Sequence, residues 1–250
     1  MKKLTIIGAG WSGLACAVAA TQAGWQVELY ETSHTAGGRA RSLEQSFAGV
    51  PLDNGQHILI GAYQETLHLM RTVGVNPESV LLRLPLDLRT ADGLGFKLPS
   101  LPFYLGSDGL DATGLDATGL DANGLDANGT SAYSSSPNLQ VVLLASLKLL
   151  VGIAFAKGWN TTDKWRLLQA CWRWQIAGFT CDVTWSVHQL CEAAHLTPRV
   201  VQGLIEPLCL SALNMPLQSA SAAVFLRVLH DAMLSAIGSS DLLIPRTKRF

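Results

Sequence analysis

The opening stretch MKKLTIIGAGWSGLACAVAATQAGWQVELYE constrains the chain more than any other. Leu4, Thr5, Ile6 and Ile7 form a short apolar, β-prone run, which predicts a strand buried on both faces. Gly8-Ala9-Gly10-Trp11-Ser12-Gly13 then gives the pattern G-x-G-x-x-G. In such a turn the first glycine permits the tight bend, the second lets a pyrophosphate approach the backbone, and the third lets the helix pack closely on the strand. Unpaired N–H groups at the helix start, together with the helix dipole, attract phosphates. The helix is expected to run to about Ala23, with Gly24 as its C-cap. Gln26-Val27-Glu28-Leu29-Tyr30 reads as the second strand. Glu31 stands at its end, about 20 residues past the glycines, where an acid accepts hydrogen bonds from ribose hydroxyls.

The same letters resemble a secretory signal, with Lys2 and Lys3 before an apolar run and small residues at Val18, Ala19 and Ala20. Three glycines inside the apolar stretch oppose that reading, because each costs a helix roughly 1 kcal/mol relative to Ala. A lipoprotein signal fails as well, since the third residue before Cys16 is Gly13. The nucleotide reading explains every glycine and is the one adopted.

The 250 residues suffice for one large or two modest domains. Only 15% are charged and 48% are hydrophobic, so a sizeable core is expected. A net charge of -1 argues against a nucleic-acid surface. Five cysteines, at 16, 171, 181, 191 and 209, contain no C-x-x-C pair, so reduced thiols are expected rather than a metal centre or a disulfide framework.

Further along, Leu67, Met70 and Val73 recur at helical spacing before Gly74. Leu82, Leu84, Leu86 and Leu88 alternate with polar residues and Pro85, which predicts an edge strand with one buried face. Asp92-Gly93 signals a turn before a second short strand around Phe96. Residues 109–128 are four copies of a GLDAT/GLDAN unit, read as a flexible surface insertion extending through Pro137. Residues 139–156 are almost wholly apolar but include Lys148, which favours a buried helix or one dipping into a single leaflet over a membrane span. Trp159, Trp165, Trp172, Trp174 and Trp185 follow; they suit either a core or an interfacial belt beside a greasy entrance. Val224, Phe225, Val228, Leu229 and Met233 form a helical stripe behind Ser219 or Ser221 as N-cap.

After Glu31 comes Gly37-Gly38-Arg39-Ala40-Arg41. A diglycine lets amides approach a phosphate or a flavin edge, and an arginine there neutralises diphosphate charge. With the fingerprint before it, this run resembles the N-terminal signature of the flavin amine oxidase and phytoene desaturase superfamily. Pro51-Leu52-Asp53-Asn54-Gly55-Gln56-His57, Glu206-Pro207-Leu208-Cys209-Leu210-Ser211-Ala212-Leu213-Asn214 and Ser240-Asp241-Leu242-Leu243-Ile244-Pro245-Arg246 narrow it. They look like the hydroxysqualene dehydroxylase family, also called squalene-associated FAD-dependent desaturases.

The resemblance implies an α/β fold: a Rossmann-like FAD-binding domain with a mostly helical or mixed substrate domain. Residues 1–80 would be the N-terminal part of the FAD domain. Residues 81–236 would be the substrate domain, with the low-complexity insertion at 106–137. Residues 237–250 would return toward the FAD domain, whose C-terminal part is missing, since family members continue past the last motif. It implies FAD as cofactor, held by Gly8, Gly10, Ser12, Gly13, Glu31, Gly38, Arg39, Gly55 and Gln56. His57 is the candidate flavin-side polar group or proton donor, against a histidine satisfied by local backbone hydrogen bonds. Glu206 is either an acid of the substrate domain or an anchor for the turn at Pro207. His188, His195 and His230 have no recognisable partners, and Arg227 reads as a solvated residue.

The implied reaction converts hydroxysqualene to squalene in the cytoplasm, on a long-chain isoprenoid, with peripheral contact to the inner face of the cell membrane. No second dinucleotide fingerprint names an electron donor. The alternatives are a carotenoid or phytoene-type desaturase, a flavin amine oxidase, a non-catalytic fragment, or a nicotinamide-dependent dehydrogenase, which the Gly37-Gly38-Arg39 segment opposes.

Overall fold

Apolar runs of four or five residues, cut by glycine turns, give this chain short strands joined to helices. The computed structural model describes residues 1–40, 42–47, 50–53, 55, 57–91, 93–99, 139–236 and 238–246. The pentapeptide repeat lies outside the described residues. The chain divides into two compact units. Unit 1 holds Met1–Leu59, Glu65–Arg83 and Leu243–Phe250; unit 2 holds Ile60–Gln64 and Leu84–Leu242.

Unit 1 opens with β1 (Lys3–Ile7), α1 (Trp11–Gln22) and β2 (Gln26–Tyr30). The two strands are parallel, with Lys3 opposite Gln26 and Ile7 opposite Tyr30. This is the βαβ start of a Rossmann-like fold. The expectation of a doubly buried first strand fails. Ile7 is 89% exposed, and α1 carries no buried residue. A strand is buried on both faces only when a wide sheet is covered on both sides. Among the described residues β1 pairs with β2 alone.

A hairpin of β3 (Ser42–Phe47) and β4 (Val50–Asp53) follows. β5 (Leu59–Ile60) precedes α2 (Gln64–Thr72), α3 (Pro77–Val80) and β6 (Leu81–Leu84). The C-terminal strand β9 (Leu242–Pro245) lies between β5 and β6 in a three-stranded sheet. Leu59, Leu67, Leu81 and Leu243 form the core here, with Met70 and Val80 packed against it.

The alternating leucines do not make one strand. β6 stops at Leu84, and β7 (Asp87–Arg89) begins after Pro85. In β6 the buried leucine is Leu81, while Leu82 and Leu84 are exposed; the phase is corrected only at the buried Leu86. Proline cannot donate to a ladder, so it resets the pairing. β7 pairs with β8 (Gly95–Lys97) in an antiparallel hairpin, with Leu88 opposite Phe96.

Among its described residues unit 2 is otherwise helical: α4 (Leu139–Ala154), α5 (Thr161–Ile176), α6 (Val187–Ala193), α7 (Pro198–Val200), α8 (Glu206–Leu213) and α9 (Ala222–Leu234). A π-helical turn, Val201–Ile205, joins α7 to α8. Side chains cap these helices as their sequence suggests. Asn160 and Asp163 form a capping box on α5, Ser186 and Gln189 one on α6, and Ser221 caps α9. Asn214 ends α8 in the left-handed conformation that terminates helices. The core joins Phe96, Ile153, Leu167, Val200, Phe225 and Leu226 among others. Leu226 is buried and Val224 exposed, so the stripe on α9 is rotated from the expected one. All five cysteines are free, and Cys16 alone is exposed.

At about 1.5 Å per residue α4 reaches roughly 24 Å, short of a bilayer core of about 30 Å. No described helix is long and apolar enough to cross a membrane. Lys148, midway along α4, is buried with 7% exposure. Its ammonium donates to Asp241 Oδ1 at 3.0 Å and to Ser240 Oγ at 3.5 Å. An ion pair this dry is weak as net stabilisation but costly to break from one side. Lys148→Met is therefore expected to destabilise unit 2 by roughly 3–5 kcal/mol, and Lys148→Met with Asp241→Leu to recover most of it, read as thermal unfolding midpoints.

Candidate functional site

The fingerprint glycines build a cradle. Gly8 has φ +97°, which only glycine adopts without strain. Its N–H donates to the Tyr30 carbonyl at 2.7 Å and ties the turn to β2. A Cβ on Gly13 would lie 1.9 Å from the Gly8 carbonyl oxygen, so the helix seats on the turn only because that side chain is absent. A Cβ on Gly10 would meet nothing within 4 Å. Gly10 is also the N-cap of α1 and provides no side-chain hydrogen bond. Helices α3, α5, α6, α7 and α9 are capped by Asn76, Asn160, Ser186, Thr197 and Ser221. The first turn of α1 thus presents N–H groups to open space, with exposed Ser12 among them, as an anion site requires.

The second glycine pair completes the cradle. The Gly37 N–H donates to the Ala9 carbonyl at 2.8 Å, and Gly10 and Gly37 form a parallel bridge. Gly37 and Gly38 both have positive φ, at 113° and 64°. A Cβ on Gly38 would sit 3.1 Å from the Gly10 Cα. Arg39 is exposed directly after them.

Glu31 closes the side. Its Oε2 accepts the Ala9 N–H at 2.6 Å and its Oε1 accepts the Ser33 N–H at 2.8 Å. The Ser33 amide first, then that of Ala9, holds this carboxyl below its ordinary value of 4.5 against a smaller opposing desolvation. A carboxylate has about four acceptor directions, so it retains capacity for hydroxyl donors. The residues present fit a dinucleotide: a glycine cradle, an uncapped helix start, an acid for ribose hydroxyls and an arginine.

The remaining candidates sit elsewhere in unit 1. The half-buried His57 packs back on Gly55, where a Cβ would be 3.2 Å from the ring Cε1. Gln56 lies outside the described residues.

Unit 2 contains an apolar cavity of about 290 Å³. α4 contributes Leu143, Ser146, Leu149 and Leu150; α5 contributes Leu167, Cys171, Trp172 and Gln175. The π-helical turn and α8 add Leu204, Ile205 and Leu208, and α9 adds Leu229 and Met233. The Glu206–Asn214 motif thus serves the cavity wall through Leu208, and Glu206 itself stands in the first turn of α8. Burial pushes the Cys171 thiol up to about 12, so it stays protonated at neutral pH.

His230 does have partners. Its Nδ1 lies 2.9 Å from Asp231 Oδ1, and its ring meets Phe179 edge-on at 5.3 Å. Phe179 lines the cavity. Arg227 pairs with the same Asp231 at 2.8 Å, and His188 with Glu192 at 3.5 Å. His195 occupies a left-handed position after α6. Adjacent or i,i+4 spacing was the signal for the acidic partners; nothing local announces the Phe179 contact.

Two predictions follow from this geometry. Gly13→Ala is expected to destabilise the fold by about 1–3 kcal/mol or more, while Gly10→Ala leaves the melting temperature unchanged and weakens binding of an added dinucleotide, read by equilibrium titration. Glu31 ionises more readily folded than unfolded, so its stabilisation is present above pH 4.5 and lost as pH falls below that value. Glu31→Gln is expected to flatten the acid limb of unfolding midpoint against pH and to leave the neutral limb parallel to wild type.

Comparison with known proteins agrees with the cradle. The NAD(P)-binding Rossmann-like domain family matches residues 6–73. The chain is 45% identical over 69 residues to hydroxysqualene dehydroxylase of Zymomonas mobilis, covering 28% of this chain and 17% of that one. It is 37% identical over 107 residues to the Rhodopseudomonas palustris enzyme of the same name, covering 39% and 26%. Zeta-carotene desaturase of Synechocystis is 34% identical over 101 residues, covering 40% and 20%. The matched stretch therefore spans about a quarter or less of these relatives' length. An oxidoreductase structure from Methanosarcina mazei shares the fold, with a TM-score of 0.51 at 15% identity over 98% of this chain and 45% of that one. In its N-terminal region, then, the chain carries a Rossmann-like nucleotide-binding unit homologous to that of the hydroxysqualene dehydroxylases.

Proposed function

We propose that this chain is an FAD-dependent oxidoreductase acting on a long isoprenoid, and that its reaction is the reductive dehydroxylation of hydroxysqualene to squalene. The observation that carries the reading is the glycine cradle with an uncapped α1, in a stretch 45% identical to a hydroxysqualene dehydroxylase. When bound and reduced, FAD supplies a hydride. The overall balance would be an alcohol plus the hydride and the proton carried by the reduced cofactor giving the hydrocarbon and water: a C–O bond broken, a C–H bond formed.

The chain's residues have three tasks. First-turn amides of α1, with Arg39, bind the diphosphate. Glu31 would orient the ribose, and His57 is the polar group assigned to the flavin side. The apolar cavity wall takes a length of isoprenoid and excludes water from the allylic carbon. Ser146 and Gln175 bring a hydroxyl and an amide into that wall, where they hydrogen-bond a substrate hydroxyl.

The similarity to zeta-carotene desaturase favours a second reading, a desaturase acting on a hydrocarbon. The two readings differ over Ser146 and Gln175, because a hydrocarbon offers them no partner. The test is an absorbance spectrum with added FAD, then an anaerobic assay with a chemical reductant. Squalene formed from hydroxysqualene, falling at least tenfold in Ser146→Ala with Gln175→Leu, is expected. No flavin band in folded protein, or turnover of a carotene instead, overturns the dehydroxylase assignment.

A further inference from the structure

Among the described residues three that are not glycine hold a positive φ: Phe179 at 55°, His195 at 53° and Asn214 at 52°. Histidine and asparagine are enriched in the left-handed region, whereas a bulky aromatic there is an outlier. The turn after α5 holds Phe179 in place from both sides. Gly178 before it is left-handed too, at φ 61°. The Phe179 N–H donates to the Trp174 carbonyl at 2.7 Å, and the Thr180 hydroxyl to the Ala177 carbonyl at 2.6 Å. A strained residue held this firmly points to a task for its side chain.

The Phe179 ring has two neighbours of opposite character. It lines the apolar cavity of unit 2. It also meets the His230 imidazole edge-on, with the ring centroids 5.3 Å apart. His230 Nδ1 lies 2.9 Å from Asp231 Oδ1, and Arg227 Nε donates to Asp231 Oδ2 at 2.8 Å. A carboxylate paired with an arginine only accepts, so Nδ1 carries the proton and Nε2 of the neutral imidazole is an acceptor. Leu229 and Met233, on either side of His230 along α9, are wall residues of the cavity; His230 is not.

We infer that Phe179 is a specificity-determining residue, whose ring screens the cavity from the His230 acceptor. With the ring in place, a chain end lodged against it has to be hydrocarbon, because a polar end there would be buried without a partner. Ser146 and Gln175 answer one hydroxyl on the cavity wall. A second hydroxyl, at the chain end, meets the aromatic ring instead. The ligand class is thereby narrowed to chains with at least one hydrocarbon end, and chains that are polar at both ends are turned away. The inference rests on the reading of this cavity as the isoprenoid's.

Taking the roughly 30 Å³ that a water fills in its liquid as the scale for one carbon, a cavity of about 290 Å³ holds about ten carbons. The probes are therefore 1-decanol and 1,10-decanediol, each titrated into the full chain. Tryptophan emission reads the binding, since Trp172 and Trp174 line the cavity. Wild type is expected to bind the alcohol at least about tenfold more tightly than the diol. Glycine adopts a φ of 55° without strain, so Phe179→Gly removes the ring and suits the backbone. It is expected to narrow the ratio to about threefold or less, through tighter binding of the diol. Adding His230→Leu is expected to return the ratio to about tenfold. Should Phe179→Gly lower the melting temperature, Phe179→Asn decides, since asparagine also accepts this conformation. A ratio that neither ring-removing variant narrows, or one that stays narrow after His230→Leu, overturns the inference and leaves the cavity an apolar site. So does wild type that binds both probes equally. Wild type that binds neither probe overturns the isoprenoid reading of the cavity and this inference with it.

Discussion

Helix α1 rests on the turn before it with room for a hydrogen and nothing more. A methyl group on Gly13 would come within 1.9 Å of the Gly8 carbonyl oxygen. That clearance fixes where the helix begins, and so where its unpaired amides point. It also holds Ala9 where its N–H reaches Glu31 and its carbonyl takes the Gly37 N–H. The nucleotide cradle is thus a packing solution first and a binding site by consequence. The side chains that would cap the helix or fill the approach to Gly10 are missing for the same reason that the turn can form.

Unit 2 follows the opposite logic. Helices α5, α6, α7 and α9 are closed at their starts by Asn160, Ser186, Thr197 and Ser221, each accepting a first-turn N–H. Its interior is a continuous apolar core with a cavity beside it. The one buried cation on α4 is neutralised by an acid from the turn before β9. The start of α1 keeps backbone donors open, whereas α5, α6, α7 and α9 pair theirs. That contrast is suited to a charged nucleotide on one unit and a hydrocarbon in the other.

What the sequence made legible was local. The βαβ unit, its glycines, Glu31 at the end of β2, the turn at Gly74 and the caps of α9 all depend on neighbours a few residues away, where spacing is a direct signal. The misreadings came where distant chain decides. Doubly buried β1 required covering layers that a strand's own letters do not report. The leucine alternation from 82 to 88 ran through Pro85 as though pairing continued across it, when the ladder had to restart. Lys148 found its acid 93 residues away, and His230 met Phe179 across a fold of the helices. The sequence signal for the glycine cradle was strong because the chemistry there is done by backbone; the cavity had no signal because any apolar side chain of the right volume will line it.

The thiols carry a practical consequence. Cys171 and Cys191 are held at about 12 by burial, and burial also raises Cys181 and Cys209. Cys16 is the exposed one, and it stands one turn after Gly13 on the helix that would cradle a diphosphate. A maleimide dye offered at neutral pH will therefore choose α1, giving the native chain a single optical reporter beside its nucleotide site without removing any cysteine.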